Sequence, residues 1–160
     1  MHILMCNDDG ILADGLRHLA SYLSQYYRIT VVAPANEQSA KSHALTTEVP
    51  LKLDAYNGED ENPRLYALTG TPSDCMKFGL SYLLTDDMPD LVISGINHGF
   101  NLGSDVLYSG TVSAAMESCF YGIPGLALSV ERYSAERGAE MHPFIHELID
   151  KIYVKGQFSG

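Results

Sequence analysis

A chain of 160 residues fits one domain that buries roughly two-thirds of its unfolded surface, so its size demands no disulfide or structural metal. Ten Lys and Arg against twenty Asp and Glu give a formal charge of −10, which excludes a duplex nucleic-acid binder built on clustered cations. Apolar residues make up 46% of the chain, yet no run approaches the length of a membrane span. Met1 leads directly into an apolar segment with no charged leader, so a cytoplasmic protein without a membrane partner is expected. Cys6, Cys75 and Cys119 are an odd count at wide spacings with no CxxC pair, and read as reduced core thiols.

In chain order, Ile3-Leu4-Met5-Cys6 reads as a buried strand that ends at Asn7-Asp8-Asp9-Gly10. Leu12, Leu16, Leu19, Ala20 and Leu23 then fall at helical spacing, with Asp14 near the positive end of the dipole, and the helix closes near Tyr26. Arg28 to Ala33 is β-branched and bounded by Pro34, which completes a strand-helix-strand unit and predicts a parallel sheet. Ala35 to Thr47 is polar and aperiodic, a loop beyond the C-terminal end of a strand. Val49, Leu51 and Leu53 alternate as in a half-exposed edge strand, Gly58 to Pro63 is a turn, and Leu65 to Leu68 is a further strand. Thr71-Pro72-Ser73-Asp74 is a capping box opening a helix whose apolar face is Cys75, Met76, Gly79, Leu80, Leu83 and Leu84. Asp90 to Ser94 reads as a central strand, and Gly95 to Asp105 as a long Gly- and Asn-rich loop. Val112, Ala115, Met116, Cys119 and Phe120 then mark a helix at i, i+3, i+4, i+7, i+8, stopped by Gly122. Leu126 to Val130 is a strand, a last helix opens at Pro143, and Lys155 to Gly160 forms an irregular tail.

In a parallel sheet the strand C-termini share one edge, so Asp8-Asp9, the loop with Ser39, Asn97 to Asn101, and Ser109 to Thr111 are expected to converge. Two carboxylates about 4 Å apart repel by about 4 kcal/mol at an effective dielectric near 20, so a fold that keeps both ionised needs a cation or strong donors. Carboxylates from Asp8 and Asp9, a hydroxyl from Ser39 and an amide oxygen from Asn97 suit Mg²⁺, Mn²⁺ or Ca²⁺ better than structural zinc. Ser109-Gly110-Thr111 at a helix start suits an anion such as phosphate. Each feature alone has an ordinary reading: a solvated turn for DDG, a Ser/Thr helix cap at 109 to 111, Asn turn residues at 97 and 101, a surface serine at 39. His43 and His98, lying in loops, read as solvated side chains. A cation beside a helix N-terminus is an arrangement for phosphoryl hydrolysis or transfer, and no Walker lysine follows a GxxxxG.

On these residues the chain resembles the SurE (survival protein E) family. The matching pieces are NDDG at 7 to 10, the loop after Val31-Val32-Ala33-Pro34 that reaches Ser39, GTPSDC at 70 to 75, and SGINHGFNLGSDVLYSGTVSAAME at 94 to 117. The resemblance covers Met1 to about Tyr153 and implies one α/β domain over 1 to 160, a three-layer Rossmann-like fold with a mostly parallel sheet. It also implies a metal-dependent phosphoric monoester hydrolase acting on nucleoside 5′- and 3′-monophosphates. Carried over motif by motif, it makes Asp8, Asp9, Ser39 and Asn97 the ligands of one divalent ion, Mg²⁺ or Mn²⁺ with Ca²⁺ as a stand-in. Asn101, Ser109, Gly110 and Thr111 become the phosphate contacts, and Asp8 and Asp9 the catalytic pair. Asp8 is then the favoured acceptor of a proton from the attacking water, and Asp74 caps its helix. Family members run on beyond this length into strands and an arm used in assembly, so a truncated member forming a homodimer or homotetramer is expected.

Two other functions fit parts of the pattern. A receiver-type phospho-acceptor domain also has an acidic pair after its first strand, but it needs an acceptor aspartate where Ser94-Gly95 stands. A non-catalytic metal or nucleotide binding module needs the same site without turnover.

Overall fold

The computed structural model of the chain describes residues 1–58 and 60–153. Six strands form one sheet: β1 (His2–Cys6), β2 (Arg28–Pro34), β3 (Leu53–Ala55), β4 (Arg64–Leu68), β5 (Leu91–His98) and β6 (Gly125–Val130), in the order β3-β4-β2-β1-β5-β6. All neighbours are parallel except β3, which pairs antiparallel with β4 at the edge. Helices α1 (Asp14–Leu23), α2 (Pro72–Phe78), α3 (Gly110–Cys119) and α4 (Ala135–Tyr153) cover both faces. Alternate residues of β1 divide the core. Ile3 and Met5 join Leu16, Leu19, Leu23, Ile145 and Ile149 of α1 and α4, whereas Leu4 and Cys6 join Cys75, Met76 and Ala114 of α2 and α3. This is the three-layer, mostly parallel architecture expected from the sequence.

The chain winds from β1 through α1 to β2 on one side and from β5 through α3 to β6 on the other. Strand order therefore reverses between β1 and β5, and the C-terminal edge at such a switch point is the usual ligand position in these sheets. Several boundaries differ from those read in the sequence. Helix α1 begins at Asp14, and Leu12 lies before it with 59% of its surface exposed, so the helical spacing of Leu12 is coincidental. The edge strand contains only Leu53–Ala55 of the alternating segment. After Phe78 the second helix widens into a π turn over Gly79–Leu83, with Leu84 N bonded to Gly79 O, which still buries Leu80 and Leu84. Strand β5 continues through the expected loop to His98, because its ladder with β6 shifts register after Ser94 and resumes at Asn97 and Ser129. A 3₁₀ segment, Gly103–Tyr108, follows.

Helix α3 corrects its expected stripe. Ala115 is buried, but Met116 and Phe120 are 52% and 76% exposed and Cys119 is an exposed thiol. The face turned to the sheet is small and polar instead: Gly110, Thr111, Ser113, Ala114, Ala115, Glu117 and Ser118. Small residues let α3 lie close to β6. A Cβ on Gly125 would overlap the Ala115 carbonyl oxygen and stand 2.7 Å from Ser118 Oγ, which itself bonds Ala115 O. Gly125→Ala is therefore expected to destabilise the fold by about 3 kcal/mol, the upper end of ordinary overpacking costs, in a denaturant titration. Helix α4 starts eight residues before the expected Pro143, where Ser134 Oγ accepts from Arg137 N, and Pro143 lies inside it. The tail from Lys155 and the turn residue Glu59 lie outside the described residues.

Candidate active site

The turn after β1 is built by Asn7. Its fully buried side chain donates from Nδ2 to Gly10 O (3.1 Å) and accepts from Gly10 N (3.2 Å), closing a turn that presents Asp8 and Asp9 at the sheet edge. The three-residue spacing of Asn7 and Gly10 is the local signal of this turn in the sequence. Asp8 is buried and points at α3: Thr111 donates through Oγ1 to Asp8 Oδ1 at 2.6 Å. At Gly110 a Cβ would stand 2.9 Å from Asp8 Cβ and 3.2 Å from Asp8 Oδ2, so only glycine lets the helix start approach the carboxylate this closely. Ser109 caps α3, accepting at Oγ from Val112 N (3.1 Å).

The other expected site residues lie around this centre. Asp9 Oδ2 accepts from His98 N at 3.5 Å, which brings the end of β5, including Asn97, to the acidic pair. Asn97 donates its Nδ2 to Gly99 O (2.8 Å), and its Oδ1 accepts no bond among the described residues. Asn101 donates to Ser129 Oγ (2.7 Å) in β6, a positioning contact at the rim. The Ser39 loop is tied to the site by Gln38 N, which bonds Asp8 O (2.8 Å). Ser39 itself is exposed and donates to Glu37 Oε1 (2.7 Å). The structure thus brings Asp8, Gly110 and Thr111 into direct contact and places Asp9 and Ser39 on adjoining loops and Asn97 at the end of β5. His98 is exposed, as expected for a loop histidine, although it stands at the end of a strand; His43 is half-buried and pairs with Glu117.

Asp74 does more than cap α2. The capping box is complete, with Thr71 N donating to Asp74 Oδ2 and Asp74 N to Thr71 Oγ1, and the carboxylate also takes Thr46 N (3.0 Å) and Thr46 Oγ1 (2.6 Å) from the far end of the Ser39 loop. Burial pushes the Asp74 pKa up, but these donors outweigh it and hold it below the ordinary carboxylate value. A depressed folded pKa stabilises the fold above the unfolded value, near 3.9, and this contribution fades as pH falls through the folded value. Asp74→Ala is expected to cost about 1–3 kcal/mol at neutral pH and to show a shallower loss of stability between about pH 4 and 2 in denaturant titrations.

Asp8 and Asp9 are perturbed in the opposite direction. Burial raises Asp8, tempered by the Thr111 hydrogen bond; burial and then the neighbouring Asp8 charge raise Asp9. Among the described residues neither forms an ion pair with Lys or Arg, and no three His, Cys, Asp or Glu side chains gather as a metal cluster. The donors at hand are two carboxylates lacking a counter-charge, with neutral hydroxyl and amide oxygens beside them. That set fits a hard, oxygen-seeking divalent cation.

Fold and site together define a doubly wound α/β protein with an acidic, oxygen-donor centre facing a helix N-terminus at its topological switch point. A family model described as "Survival protein SurE" matches residues 3–158, and the chain belongs to the SurE family. It is 49% identical over 156 residues to the 5'-nucleotidase SurE of Thermoanaerobacter pseudethanolicus, covering 98% of this chain and 61% of that protein. Its counterpart in Caldanaerobacter subterraneus subsp. tengcongensis, also named 5'-nucleotidase SurE, is 48% identical over 155 residues, 96% of this chain and 60% of that one. The crystal structure of the SurE protein from Aquifex aeolicus superposes with a TM-score of 0.83 at 38% identity, over 95% of this chain and 60% of that chain. The chain therefore spans about 60% of the length of the relatives it matches.

Proposed function

We propose that this chain carries the phosphate-hydrolysing centre of a divalent-cation-dependent nucleotidase that converts nucleoside 5′- and 3′-monophosphates to nucleoside and phosphate. The observation that carries the reading is the 2.6 Å bond from Thr111, at the start of α3, to Asp8. A phosphate drawn to the same helix start would meet the Asp8 carboxylate, and a cation between the two anions relieves their repulsion. The relatives' name, 5'-nucleotidase SurE, supports the substrate class.

Asp8, Asp9, Ser39 and Asn97 would hold the cation, Mg²⁺ or Mn²⁺, which when bound neutralises charge on the phosphoryl oxygens and makes phosphorus more electrophilic. The protein's own residues do the rest. The α3 start at Gly110 and Thr111 and the side chains of Ser109 and Asn101 bind and orient the phosphate, so that the displacement is in line. Asp8, whose burial makes it more basic than an ordinary carboxylate, takes the proton of the attacking water, while Thr111 fixes which Asp8 oxygen stays available. The exposed Met116 and Phe120 on α3 support self-association of the whole protein into a homodimer or homotetramer.

Phosphate release from 5′-AMP, 3′-AMP and an aryl phosphate with Mn²⁺ tests the reading. Turnover of both nucleotides is expected; release from the aryl ester alone would point to a general phosphatase. Acid-stable labelling of one aspartate by acetyl phosphate would point instead to a phospho-acceptor domain.

A further inference from the structure

The segment Ala35 to Thr47 carries Ser39 but has little backbone pairing of its own. Ala40 and Ser42 adopt φ of 57° and 54°, a left-handed region that non-glycine residues rarely enter and keep only where their surroundings impose it. Both ends of the segment are anchored, by Gln38 N on Asp8 O and by Thr46 on Asp74. Its middle is held at three points, one of them Ala44 O, which accepts from Thr71 Oγ1 at the start of α2 (2.7 Å). Ser42 bonds the 3₁₀ segment, through N to Tyr108 O (3.1 Å) and through Oγ to Leu107 O (2.8 Å). His43 Nε2 stands 2.6 Å from Glu117 Oε2, with the Phe120 ring 6.1 Å away.

The His43 contact is unusual in its partner. The Glu117 side chain is only 6% exposed, and among the described residues its carboxylate has no hydrogen-bond or ion-pair partner other than His43. A buried carboxylate with a single partner holds that partner firmly, because leaving it alone is costly. Glu117 lies two helical turns beyond Gly110, about 10 Å along the same rigid element. One helix thus fixes Asp8 through Thr111 and the Ser39 segment through Glu117.

We propose that the His43–Glu117 pair is a latch that positions the Ser39 segment relative to Asp8 and Asp9. His43 is a positioning residue that touches neither substrate nor cation. The consequence for cation binding rests on the role given above to Ser39; the latch itself does not.

Two measurements on the full chain test it: hydrogen exchange of peptides spanning 36–46 and α3, and Mn²⁺ titration calorimetry. In His43→Ala, exchange in 36–46 is expected to rise at least tenfold while α3 stays as protected as in the unmutated chain. Mn²⁺ affinity is expected to fall about 10–100-fold, the range for residues that orient a metal ligand. His43→Gln, whose amide can still donate to Glu117, restores most of both, and adding Glu117→Gln to His43→Ala makes neither worse. Unchanged loop exchange in His43→Ala overturns the latch. So does lost protection throughout α3 in both His43→Ala and His43→Gln, which would make the pair part of the general core. If the unmutated chain binds no Mn²⁺, the cation reading of the site fails by itself, and the exchange of 36–46 still decides the latch.

Discussion

Asp8→Asn is expected to lower cation-dependent phosphate release by roughly 10³-fold or more, the scale on which removing one preorganised charge acts, while leaving the fold as stable as before or more so. The fold survives because the amide oxygen of Asn can still accept the Thr111 hydroxyl, so the contact between β1 and α3 is kept. The sign of the stability change follows from linkage. Burial raises the Asp8 pKa in the folded state, so between the unfolded and folded values the native chain binds more protons, and stability falls as pH rises through that window. Above the folded value the full penalty of an ionised, buried Asp8 is present, and Asn removes it. In cation-free buffer Asp8→Asn should therefore match or exceed the unmutated chain in denaturation midpoint. The order should reverse with Mn²⁺, since a ligand at 100 times its Kd adds about 2.7 kcal/mol to a chain that binds it. Thermal melts with and without Mn²⁺ check both halves; a variant that is less stable in both buffers would mean that Asp8 is a structural carboxylate.

Gly110→Ala carries the second large effect. The new methyl would stand 2.9 Å from Asp8 Cβ, 3.1 Å from Pro72 Cγ and 3.2 Å from Asp8 Oδ2, on a side closed by the ends of β1 and α2. Pro72 belongs to α2 and Asp8 to the turn that Asn7 closes, so relief comes from moving Asp8 or tilting the start of α3. Alanine's better helix propensity, about 1 kcal/mol over glycine, offsets part of an overpacking cost of about 1–3 kcal/mol, so stability should fall only modestly. Catalysis is less forgiving, because misplacing a reacting group by an ångström costs about 10²-fold. The expected result is phosphate release down about a hundredfold with a denaturation midpoint changed by less than in Gly125→Ala. Full activity in Gly110→Ala would show that the close approach of α3 to Asp8 is not needed.

The two variants probe features of unequal visibility in the sequence. The central strands could be read because Ile3-Leu4-Met5 and Leu91-Val92-Ile93 are continuous apolar runs, buried on both faces as a parallel sheet requires. The site could be approached because topology alone sends Asp8, Ser39, Asn97 and Ser109 to one edge. Helix α3 resisted the same reading: its apolar residues Met116 and Phe120 face outward, while Ser113, Glu117 and Ser118 turn inward to allow a close approach to β6. Periodicity of apolar residues finds the wet face in such a helix. Glu117 was hidden for that reason, and His43 with it, since a carboxylate 74 residues away leaves no local trace beside a histidine. The start of α4 was masked by Pro143, a strong helix-opening signal that here lies inside the helix, whereas the Ser134 cap and the buried positions Gly138, His142, Ile145 and Ile149 mark the true span.

The most direct test of the central claim is phosphate release from 5′-AMP with Mn²⁺, again after removal of the cation by EDTA, and once more after Mn²⁺ is restored, with Asp9→Asn alongside. Release that stops with EDTA, returns with Mn²⁺ and is absent in Asp9→Asn is the expected result for an acidic pair that works through a divalent cation. Release that persists in EDTA and survives in Asp9→Asn would contradict it, and would place the chemistry away from the turn that Asn7 builds.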